Sequence, residues 1–376
     1  MKIKPIWTSV VFSLIAFIAS LLSFSTGSTL NGVAAIGVVI VPIILAQLFL
    51  ASIPNILTST IAVAVGLVGA FLAVLKLAAL DQSAAIGFWG IFWGLILSAF
   101  FAAGRVSLVE SDPNEKAYLQ RWRQALPPAT VPFILLLIWQ GLIVGNQVPK
   151  GIFPSVSDVY KQLIASFPVL MRDSYFTFIK EILLGFVLGI LAGFAAGVAI
   201  AYSRFLQRGF LPLAAAFATV PIVGLAPVLG RAFGIDWQSK AAVVVITTFF
   251  PVVLNTVQGL IQIDSLKLDL LKAYAAKPID IFTKLRFPNA LPYIFNAVKL
   301  AAVLSVISVI VAEFLIPGPP KGLGQRISLS ARQGAYDVVF AAIIVSSVIS
   351  IIIYGLLSML ERNLTSWHAS FREEVS

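Results

Sequence analysis

A chain of 376 residues that is 59% hydrophobic and only 11% charged cannot hide its apolar surface in a water-soluble globule, since soluble domains are about a quarter charged. It contains no cysteine, which excludes disulfides and thiolate chemistry, and its single histidine, His368, leaves no histidine cluster for a metal. The net charge of +10 is explained by basic loops between membrane spans and does not require a nucleic-acid partner.

Long intervals without Asp, Glu, Lys or Arg follow one another along the chain, and the shorter ones match a helix crossing a hydrocarbon core roughly 30 Å thick. They predict an all-α polytopic membrane protein. A β-barrel would show short segments of alternating polarity instead. We predict ten spans, at 6–25, 32–50, 56–75, 84–104, 130–148, 176–202, 209–230, 240–260, 292–316 and 337–360.

Basic residues are distributed unevenly between the two sets of connecting segments. If both termini are cytoplasmic, the inside segments hold 15 Lys and Arg and the outside segments hold 9. The positive-inside rule therefore predicts a multi-pass protein of the cell (plasma or inner) membrane with both termini in the cytoplasm. Lys2 and Lys4 before an apolar run also fit a signal peptide, but Ser25-Thr26-Gly27 is a poor cleavage site, and we predict a retained helix.

The hydrophilic stretch 105–129 is the largest shift in composition along the chain. It predicts a four-span N-terminal block, a cytoplasmic linker, a six-span core and a cytoplasmic tail, at 1–104, 105–129, 130–367 and 368–376. The predicted spans of the N-terminal block contain no charged residue. Because intramembrane charge usually marks a functional pathway, we expect this block to be accessory.

Segment 264–288 is charged although it lies between membrane spans. Asp264 and Ser265 are suitable N-cap residues, and apolar side chains recur behind them at helical spacing. Pro278 suits the first turn of a second helix. Two short amphipathic helices at a bend can insert into a groove of a partner, and the alternative is a hairpin that lies on the lipid surface.

Glycines recur every four residues in the sixth predicted span, at Gly185, Gly189, Gly193 and Gly197. They bare one face of the helix so that another backbone can approach closely. This pattern predicts helix packing within one subunit, and a dimer face or a substrate path is the alternative.

The seventh and eighth predicted spans contain prolines among polar residues. A helix broken inside a membrane is tolerated only where protein or a cavity covers the freed backbone. Lining of a transport pathway and simple kinking both explain this pattern. The candidate pathway-lining residues are Thr219, Pro221, Pro227, Thr247, Thr248 and Asn255.

Glu313 lies near the end of the ninth predicted span. An acid inside a membrane is a functional candidate, but at this depth the side chain could also reach the lipid headgroups. The following Lys321-Gly322-Leu323-Gly324 predicts an external turn. The sequence has no phosphate-binding G-x-x-x-x-G-K-[ST] motif, so we predict neither ATP hydrolysis by this chain nor a bound cofactor.

Residues 130–367 resemble permease subunits of binding-protein-dependent ABC importers of the nitrate/taurine/sulfonate type. Besides segment 264–288, the resemblance rests on four motifs: Phe153-Pro154-Ser155-Val156-Ser157-Asp158-Val159, Phe249-Phe250-Pro251-Val252-Val253-Leu254-Asn255-Thr256, Val311-Ala312-Glu313-Phe314-Leu315 and Gly322-Leu323-Gly324. It implies a six-span type I importer core. The N-terminal four-span block, about a third of the chain with its linker, lies outside it.

The resemblance implies that segment 264–288, here called the coupling segment, contacts a separate ATPase. The family pattern is Glu-Ala-Ala, three residues, Gly, nine residues, then Ile-x-Leu-Pro. In this chain Ala275 stands in place of the glycine, which affects the geometry expected for the bend. The ATPase-coupling residues implied are Asp269, Leu270, Leu271, Lys272, Ala275, Leu285 and Pro288.

The Tyr274-Ala275-Ala276 variant, with Thr219-Val220-Pro221-Ile222-Val223 before Leu225-Ala226-Pro227, is similar to the branch that imports riboflavin and hydroxymethylpyrimidine-type thiamine precursors. The resemblance implies a permease homodimer, two ATPase copies and a periplasmic or lipid-anchored binding protein, with no nucleic acid. Nitrate, taurine, alkanesulfonate or bicarbonate import is the alternative. A secondary transporter should show midplane charges or inverted halves, and a membrane enzyme should show a catalytic pair; neither is visible.

Overall fold

The computed structural model describes residues 7–26, 40–53, 56–107, 117–318 and 321–365, so the predicted tail 368–376 and His368 lie outside the described residues. The chain forms two compact units, Met1–Tyr160 and Lys161–Ser376. Among the described residues, seven helices are long and apolar enough to cross a membrane, and three shorter helices are also apolar. The prediction of an all-α polytopic membrane protein is confirmed.

The first unit is a bundle of five helices followed by the start of a sixth. These are α1 (Trp7–Ala19), α2 (Ile40–Ser52), α3 (Ile56–Leu80), α4 (Ile86–Ser107), α5 (Ala117–Gly145) and α6 (Val156–Ala165), which crosses the boundary between the units along the chain. The core contains Phe24, Phe88, Phe92 and Leu95, with Ile134 of α5 buried against them. Helix α5, the predicted first span of the core, therefore packs on the helices of the N-terminal block.

A network of neutral polar groups joins three helices inside the first unit. The hydroxyl of Ser98 on α4 lies 3.0 Å from that of Ser9 and 2.8 Å from that of Ser13, both on α1. Gln47 on α2 donates its amide to the same hydroxyl at 3.0 Å. Side-chain hydrogen bonds of this kind hold membrane helices together without charge.

Two arginines of the predicted linker 105–129 are buried in helices. Arg105, assigned to the linker from the sequence, lies in the last turn of α4 and is completely buried. Arg123 is buried in the second turn of α5. The helices therefore extend into the predicted linker 105–129, of which residues 108–116 lie outside the described residues.

Helix α6 opens with a reciprocal cap. Ser155 donates its hydroxyl to Asp158 Oδ2 at 2.7 Å, and the amide of Asp158 returns a hydrogen bond to Ser155 Oγ at 3.2 Å. Burial would raise the pKa of Asp158, but hydrogen bonds and charge from Lys150 and Ser155 outweigh it, so the pKa is lowered. The motif Phe153–Val159 thus has a local structural role at the start of a helix.

The second unit contains one long helix in three parts, two parallel spans and a C-terminal hairpin. Its helices are α7 (Phe167–Ser174), continued by π-helical Tyr175–Leu183 into α8 (Leu184–Tyr202), then α9 (Arg204–Phe217), α10 (Ile222–Phe233), α11 (Trp237–Ile261), α12 (Ser265–Ala273), α13 (Pro278–Ile281), α14 (Phe287–Leu315), α15 (Leu323–Arg332) and α16 (Tyr336–Leu364). Residues 282–286 between α13 and α14 are also π-helical.

Helices α8 and α11 run parallel, since Gly185 faces Val244 and Gly197 faces Thr256. The chain returns between them through α9 and α10, which replace the seventh predicted span and are separated by a break at residues 218–221. We call the end of the unit that carries the coupling segment the near end, and the opposite end, where α14 finishes and α15 lies, the far end.

Of the prolines Pro221, Pro227 and Pro251, only Pro221 lies at a break between helices. Pro221 precedes α10, as expected for a residue that cannot continue a hydrogen-bonded turn, but Pro227 lies within α10. Pro251 likewise lies within α11, which is continuous over 25 residues. The expectation that the eighth span is interrupted is therefore wrong.

Candidate functional site

The coupling segment begins with a capped helix and ends it with a tight turn. Asp264 accepts a hydrogen bond from the amide of Leu266 at 2.9 Å, so the predicted N-cap is present. At the other end of α12, the amide of Ala276 bonds to Leu271 O at 3.0 Å and that of Ala275 bonds to Lys272 O at 2.9 Å. This pair of bonds is a Schellman motif, which places Ala275 in the left-handed region at φ 52°.

The left-handed turn explains why the family has glycine where this chain has Ala275. A Cβ in that region collides with the neighbouring backbone, which glycine avoids. The bend forms here with alanine nonetheless. The turn expected from the family pattern is therefore formed here, although Ala275 adopts the left-handed conformation at a higher energetic cost than glycine would.

One face of α12 presents large apolar side chains to its surroundings. Leu266, Leu270 and Tyr274, four residues apart, are 78%, 57% and 79% exposed. Beside them Asp269 pairs with Lys272 at 3.3 Å, and both side chains are more than half exposed. An exposed ion pair contributes little stability, so both groups remain available to a partner. An apolar row of this kind suits contact with a partner protein or with the lipid surface.

The base of the coupling segment is fastened to the end of α11. Arg286 donates to Leu260 O at 3.0 Å, and Asn289 donates to Gly259 O at 2.9 Å and to Gln262 O at 2.7 Å. The last carbonyls of a helix have no partner within it, and these side chains satisfy them. The guanidinium of Arg286 also lies over the ring of Tyr202, 5.5 Å from its centroid.

The second half of the coupling segment differs from the expected separate short helix. Pro278 does occupy the first turn of a helix, as predicted. That helix then continues through the π-helical turn 282–286 into α14, giving one helical run from Pro278 to Leu315. Leu285 and Pro288 are half-buried within this run. The exposed bend is therefore continuous with a long span.

At the far end, polar side chains continue the four-residue spacing of the glycines. Asp173, Thr177 and Glu181 precede Gly185 at intervals of four, and all three are buried. The sequence analysis did not identify these residues, although extending the glycine period toward the N-terminus would have found them. Arg326 of α15 donates to Asp173 at 2.8 Å, and Lys240 of α11 lies 3.7 Å from Glu181.

Lys240, which belongs to the outside segments in the charge count, is buried as well. It lies in the first turn of α11 and is 2% exposed. Its ammonium also donates to Ile235 O at 3.3 Å. A buried charge is retained only when it is paired and hydrogen-bonded, and Lys240 meets both conditions.

Glu313 is completely buried, so the expectation that it could reach the lipid headgroups is wrong. Its carboxyl accepts from the hydroxyl of Thr177 at 2.7 Å and from the amide of Gln325 at 2.9 Å. The amide of Leu323 in turn donates to Thr177 at 2.9 Å. Glu313 thus holds the start of α15 against the end of α14.

The two family motifs around Glu313 and Gly322 are parts of this single contact. Gly322 has φ 117°, a conformation that favours glycine, and a Cβ there would lie 2.5 Å from the carboxylate of Glu313. At Gly324 a Cβ would lie 2.8 Å from Ile310 O. Glycine is required at both positions because the carboxylate and the backbone occupy the space of a side chain.

The predicted packing glycines lie along α11. A Cβ at Gly189 would meet Val245 O at 2.9 Å, and one at Gly193 would meet Phe249 O at 2.8 Å. The helices therefore touch backbone to backbone, which only glycine allows. Gly185 and Gly197 make equivalent contacts at the two ends of the same face.

The candidate pathway residues lie in different local settings. Thr247 and Thr248 of α11 lie 3.3 and 3.2 Å from Ser308 and Ser305 of α14, at a contact between helices. Asn255 donates to Pro251 O at 2.9 Å and so bonds within its own helix. By contrast Thr219 and Pro221 are exposed at the break before α10, while Pro227 lies within α10.

Lysines inside the described core spans all have partners. Lys299 of α14 pairs with Glu361 of α16 at 2.6 Å. Lys180 lies over the ring of Phe176 at 5.0 Å from its centroid. Together with the Lys240–Glu181 pair, these contacts place each lysine against an acidic or aromatic group.

Comparison with known proteins identifies the region that carries these features. Residues 185–366 match the family described as binding-protein-dependent transport system inner membrane component. The chain is 32% identical over 259 residues to the riboflavin transport system permease protein RibX of Chloroflexus aurantiacus, covering 67% of this chain and 94% of that one. It is 29% identical over 255 residues to the formylaminopyrimidine transport permease protein ThiX of Halalkalibacterium halodurans, covering 66% and 98%.

A third relative is named for a different substrate. The nitrate import permease protein NrtB of Leptolyngbya laminosa is 25% identical over 244 residues, covering 63% of this chain and 87% of that one. These shares of the chain exceed the unit Lys161–Ser376, so the similarity continues into the first unit. Span-length helices, a coupling segment and similarity over nearly the full length of these relatives lead to one conclusion. The chain belongs to the binding-protein-dependent permeases of ABC transporters, the multi-pass inner-membrane subunits whose ATP hydrolysis is carried out by a separate ATPase.

Proposed function

We propose that this chain is the permease of an importer for riboflavin or a thiamine-precursor pyrimidine, delivered by an extracytoplasmic binding protein. The observation that carries the substrate choice is the pairing of lysines: Lys240, Lys299 and Lys180 each face an acidic or aromatic group. A pathway for nitrate or a sulfonate would be expected to expose a positively charged side chain to the anion. RibX is named for riboflavin and ThiX for formylaminopyrimidine. Both are uncharged or weakly charged ring compounds, which supports the same choice.

Growth rescue tests the substrate. The chain is expressed with its ATPase and binding protein in a riboflavin auxotroph and separately in a thiamine-pyrimidine auxotroph, at limiting concentrations of each vitamin. We expect rescue of one strain, and none when the chain carries Asp269→Lys. Rescue of neither strain, together with uptake of labelled nitrate or taurine, would reverse the choice of substrate and leave the importer assignment intact.

The proposed coupling mechanism begins at the exposed face of α12. The ATPase binds Leu266, Leu270 and Tyr274 with Asp269 at the edge, and closure of its dimer on ATP displaces the bend. Because the base is bonded to α11 and the helix continues into α14, the displacement reaches two core spans. The permease dimerises, carries two ATPase copies and switches between inward- and outward-facing packings.

Co-purification of the ATPase tests the docking face. We expect Ala275→Glu to lose the ATPase, since a longer charged side chain in the left-handed turn disrupts both the bend and the apolar face. Arg208→Ala changes an exposed side chain at the near end outside the segment and is the matched control. ATPase recovered with Ala275→Glu at the yield of the control would contradict the docking role.

We also propose that the N-terminal four-span block is a scaffold, with both termini of the chain in the cytoplasm. Its polar interior is built largely from neutral groups, and the permeases it resembles lack a counterpart. Removal of residues 1–104 should leave an inserted, partly active protein, at lower yield because α5 loses its packing against α3 and α4. Complete loss of transport in a well-expressed truncation would show that the block takes part in the mechanism.

A further inference from the structure

The C-terminal helix α16 is packed unevenly along its length. Its buried residues are Val339, Ala341, Ala342, Val345 and Ser346 in the far half, and then Glu361 alone. Between them four turns carry no buried side chain, and Ile351 and Met359 are 70% and 66% exposed. Glu361 is therefore the one buried residue in the near half of α16, where Ile353 packs partly buried against the apolar core.

A cleft separates α16 from α14 along this loosely packed stretch. It encloses about 480 Å³ and is lined by Val303 and Ile307 of α14 and by Ser350 and Tyr354 of α16, among others. On the near side of the cleft, Lys299 of α14 donates to Glu361 at 2.6 Å, with side chains only 20% and 10% exposed. The ion pair thus adds a charged contact between two helices whose apolar packing is looser at this end than at the far end.

An ion pair inside a membrane is a poor source of stability in itself. Its desolvation offsets most of the attraction, and apolar residues of similar size often pack as well or better. Charged side chains at membrane depth therefore usually have a functional role. Apolar side chains could fill the cleft, so stability alone does not account for a charged contact at this place.

The position of Lys299 indicates what that role is. It lies on the helical run Pro278–Leu315, which begins in the coupling segment. We infer that the Lys299–Glu361 ion pair fastens the near end of α16 to this run, so that α16 follows when the ATPase displaces the coupling segment. Both are positioning residues that transmit movement, and this inference rests on the proposed coupling function.

Charge exchange tests the inference in the purified complex with ATPase and binding protein. Glu361→Gln and Lys299→Gln should each lower transport per ATP hydrolysed by at least about tenfold, because breaking a buried pair leaves one charge alone. The double exchange Lys299→Glu with Glu361→Lys should restore at least a third of the wild-type ratio. Lys150→Gln, which removes a lysine paired at 2.9 Å but 72% exposed, is the control and should have no effect.

The outcomes separate transmission from assembly. Wild-type coupling in both single variants, or a double exchange no better than the singles, would overturn the inference. Loss of the ATPase from the Glu361→Gln complex would also overturn it, because the pair would then be needed for assembly. Failure of Ala275→Glu to release the ATPase concerns the proposed docking alone.

A distance measurement gives a second test that does not depend on transport. The chain has no cysteine, so spin labels can be placed at Ile279→Cys and Met359→Cys, both exposed. In the wild-type background the distance between labels should stay the same from the nucleotide-free to the ATP–vanadate-trapped complex. With Glu361→Gln added it should shift and broaden on trapping. A distance that changes equally in both backgrounds would contradict the fastening.

Discussion

The two compact units differ in the kind of polar side chain that they bury. In the first, Ser9, Ser13, Gln47 and Ser98 exchange hydrogen bonds between neutral groups, and the buried arginines flank residues 108–116 near helix ends. In the second, acids and lysines meet inside the spans. A neutral hydrogen bond between membrane helices contributes about 0.6–2 kcal/mol, whereas buried charges are costly and usually mark a functional role. From this difference we expect the moving parts in the second unit.

The largest expected effect comes from replacing a completely buried acid of the second unit. Glu313→Leu leaves the hydroxyl of Thr177 and the amide of Gln325 without their acceptor and should destabilise the protein by about 2–6 kcal/mol, since each unsatisfied buried donor costs about 1–3 kcal/mol. Gln47→Leu in the first unit should cost no more than about 2 kcal/mol. Thermal unfolding in detergent measures both. Equal losses would show that the two interiors do not differ in this respect.

Two glycine substitutions in the second unit test the contribution of close helix packing separately from that of charge. Gly193→Ala forces a Cβ to within 2.8 Å of Phe249 O and should cost about 1–3 kcal/mol through overpacking. Gly355→Ala on α16 meets nothing within 4 Å and should be neutral or slightly stabilising. Measuring the thermal stability of the two variants at equal expression tests both expectations. A stable Gly193→Ala protein would mean that the helices can move apart without cost.

The neutral network of the first unit should respond more weakly. Ser98→Ala removes the hydroxyl that joins α1, α2 and α4, and we expect a loss of about 0.6–1.7 kcal/mol. Ser52→Ala is the control, since Ser52 bonds only to Phe49 O of its own helix and is exposed. Transport per ATP should be unchanged in both. A change in that ratio with Ser98→Ala would bring the first unit into the mechanism.

The smallest expected effect is a gain. Ala275→Gly relieves the left-handed turn and should stabilise the coupling bend by up to about 1 kcal/mol. Ala276→Gly, at the next position, has no positive φ to relieve and should give no gain. Hydrogen exchange at the amides of Ala275 and Ala276 reports the opening of the bend. Slower exchange in Ala276→Gly than in Ala275→Gly would contradict the strain assigned to Ala275.

Much of the fold follows from charge-free intervals, because the hydrocarbon core admits few charges and fixes the length of a span. Asp264 and Pro278 were also correctly identified as helix starts, since caps and prolines act locally. The continuation of Pro278 into α14 was missed because a π-helical turn has no compositional signature. Pro251 was expected to interrupt α11, but the helix is continuous over 25 residues and loses at this position the hydrogen bond that an amide of residue 251 would donate to Thr247 O.

The buried polar and charged side chains at the far end show the limit of reasoning from single spans. Glu181 and Lys240 are far apart in sequence, and Lys240 follows a polar turn, so counting charges placed it outside the membrane. Only the packing of the two helices brings these side chains together. Glu313 was recognised as a candidate, but its partners Thr177 and Gln325 depend on contacts that a single sequence does not contain.

The π-helical stretch Tyr175–Leu183 sets the rotational phase of the glycine face. A four-residue step overshoots a full turn of an α-helix and falls short of a full turn of a π-helix, so the two deviations partly cancel along Asp173–Gly197. The stripe stays on one side over its whole length for this reason. Loss of one residue within the stretch would rotate every following glycine by about 100°. The length of this stretch is therefore constrained independently of its composition.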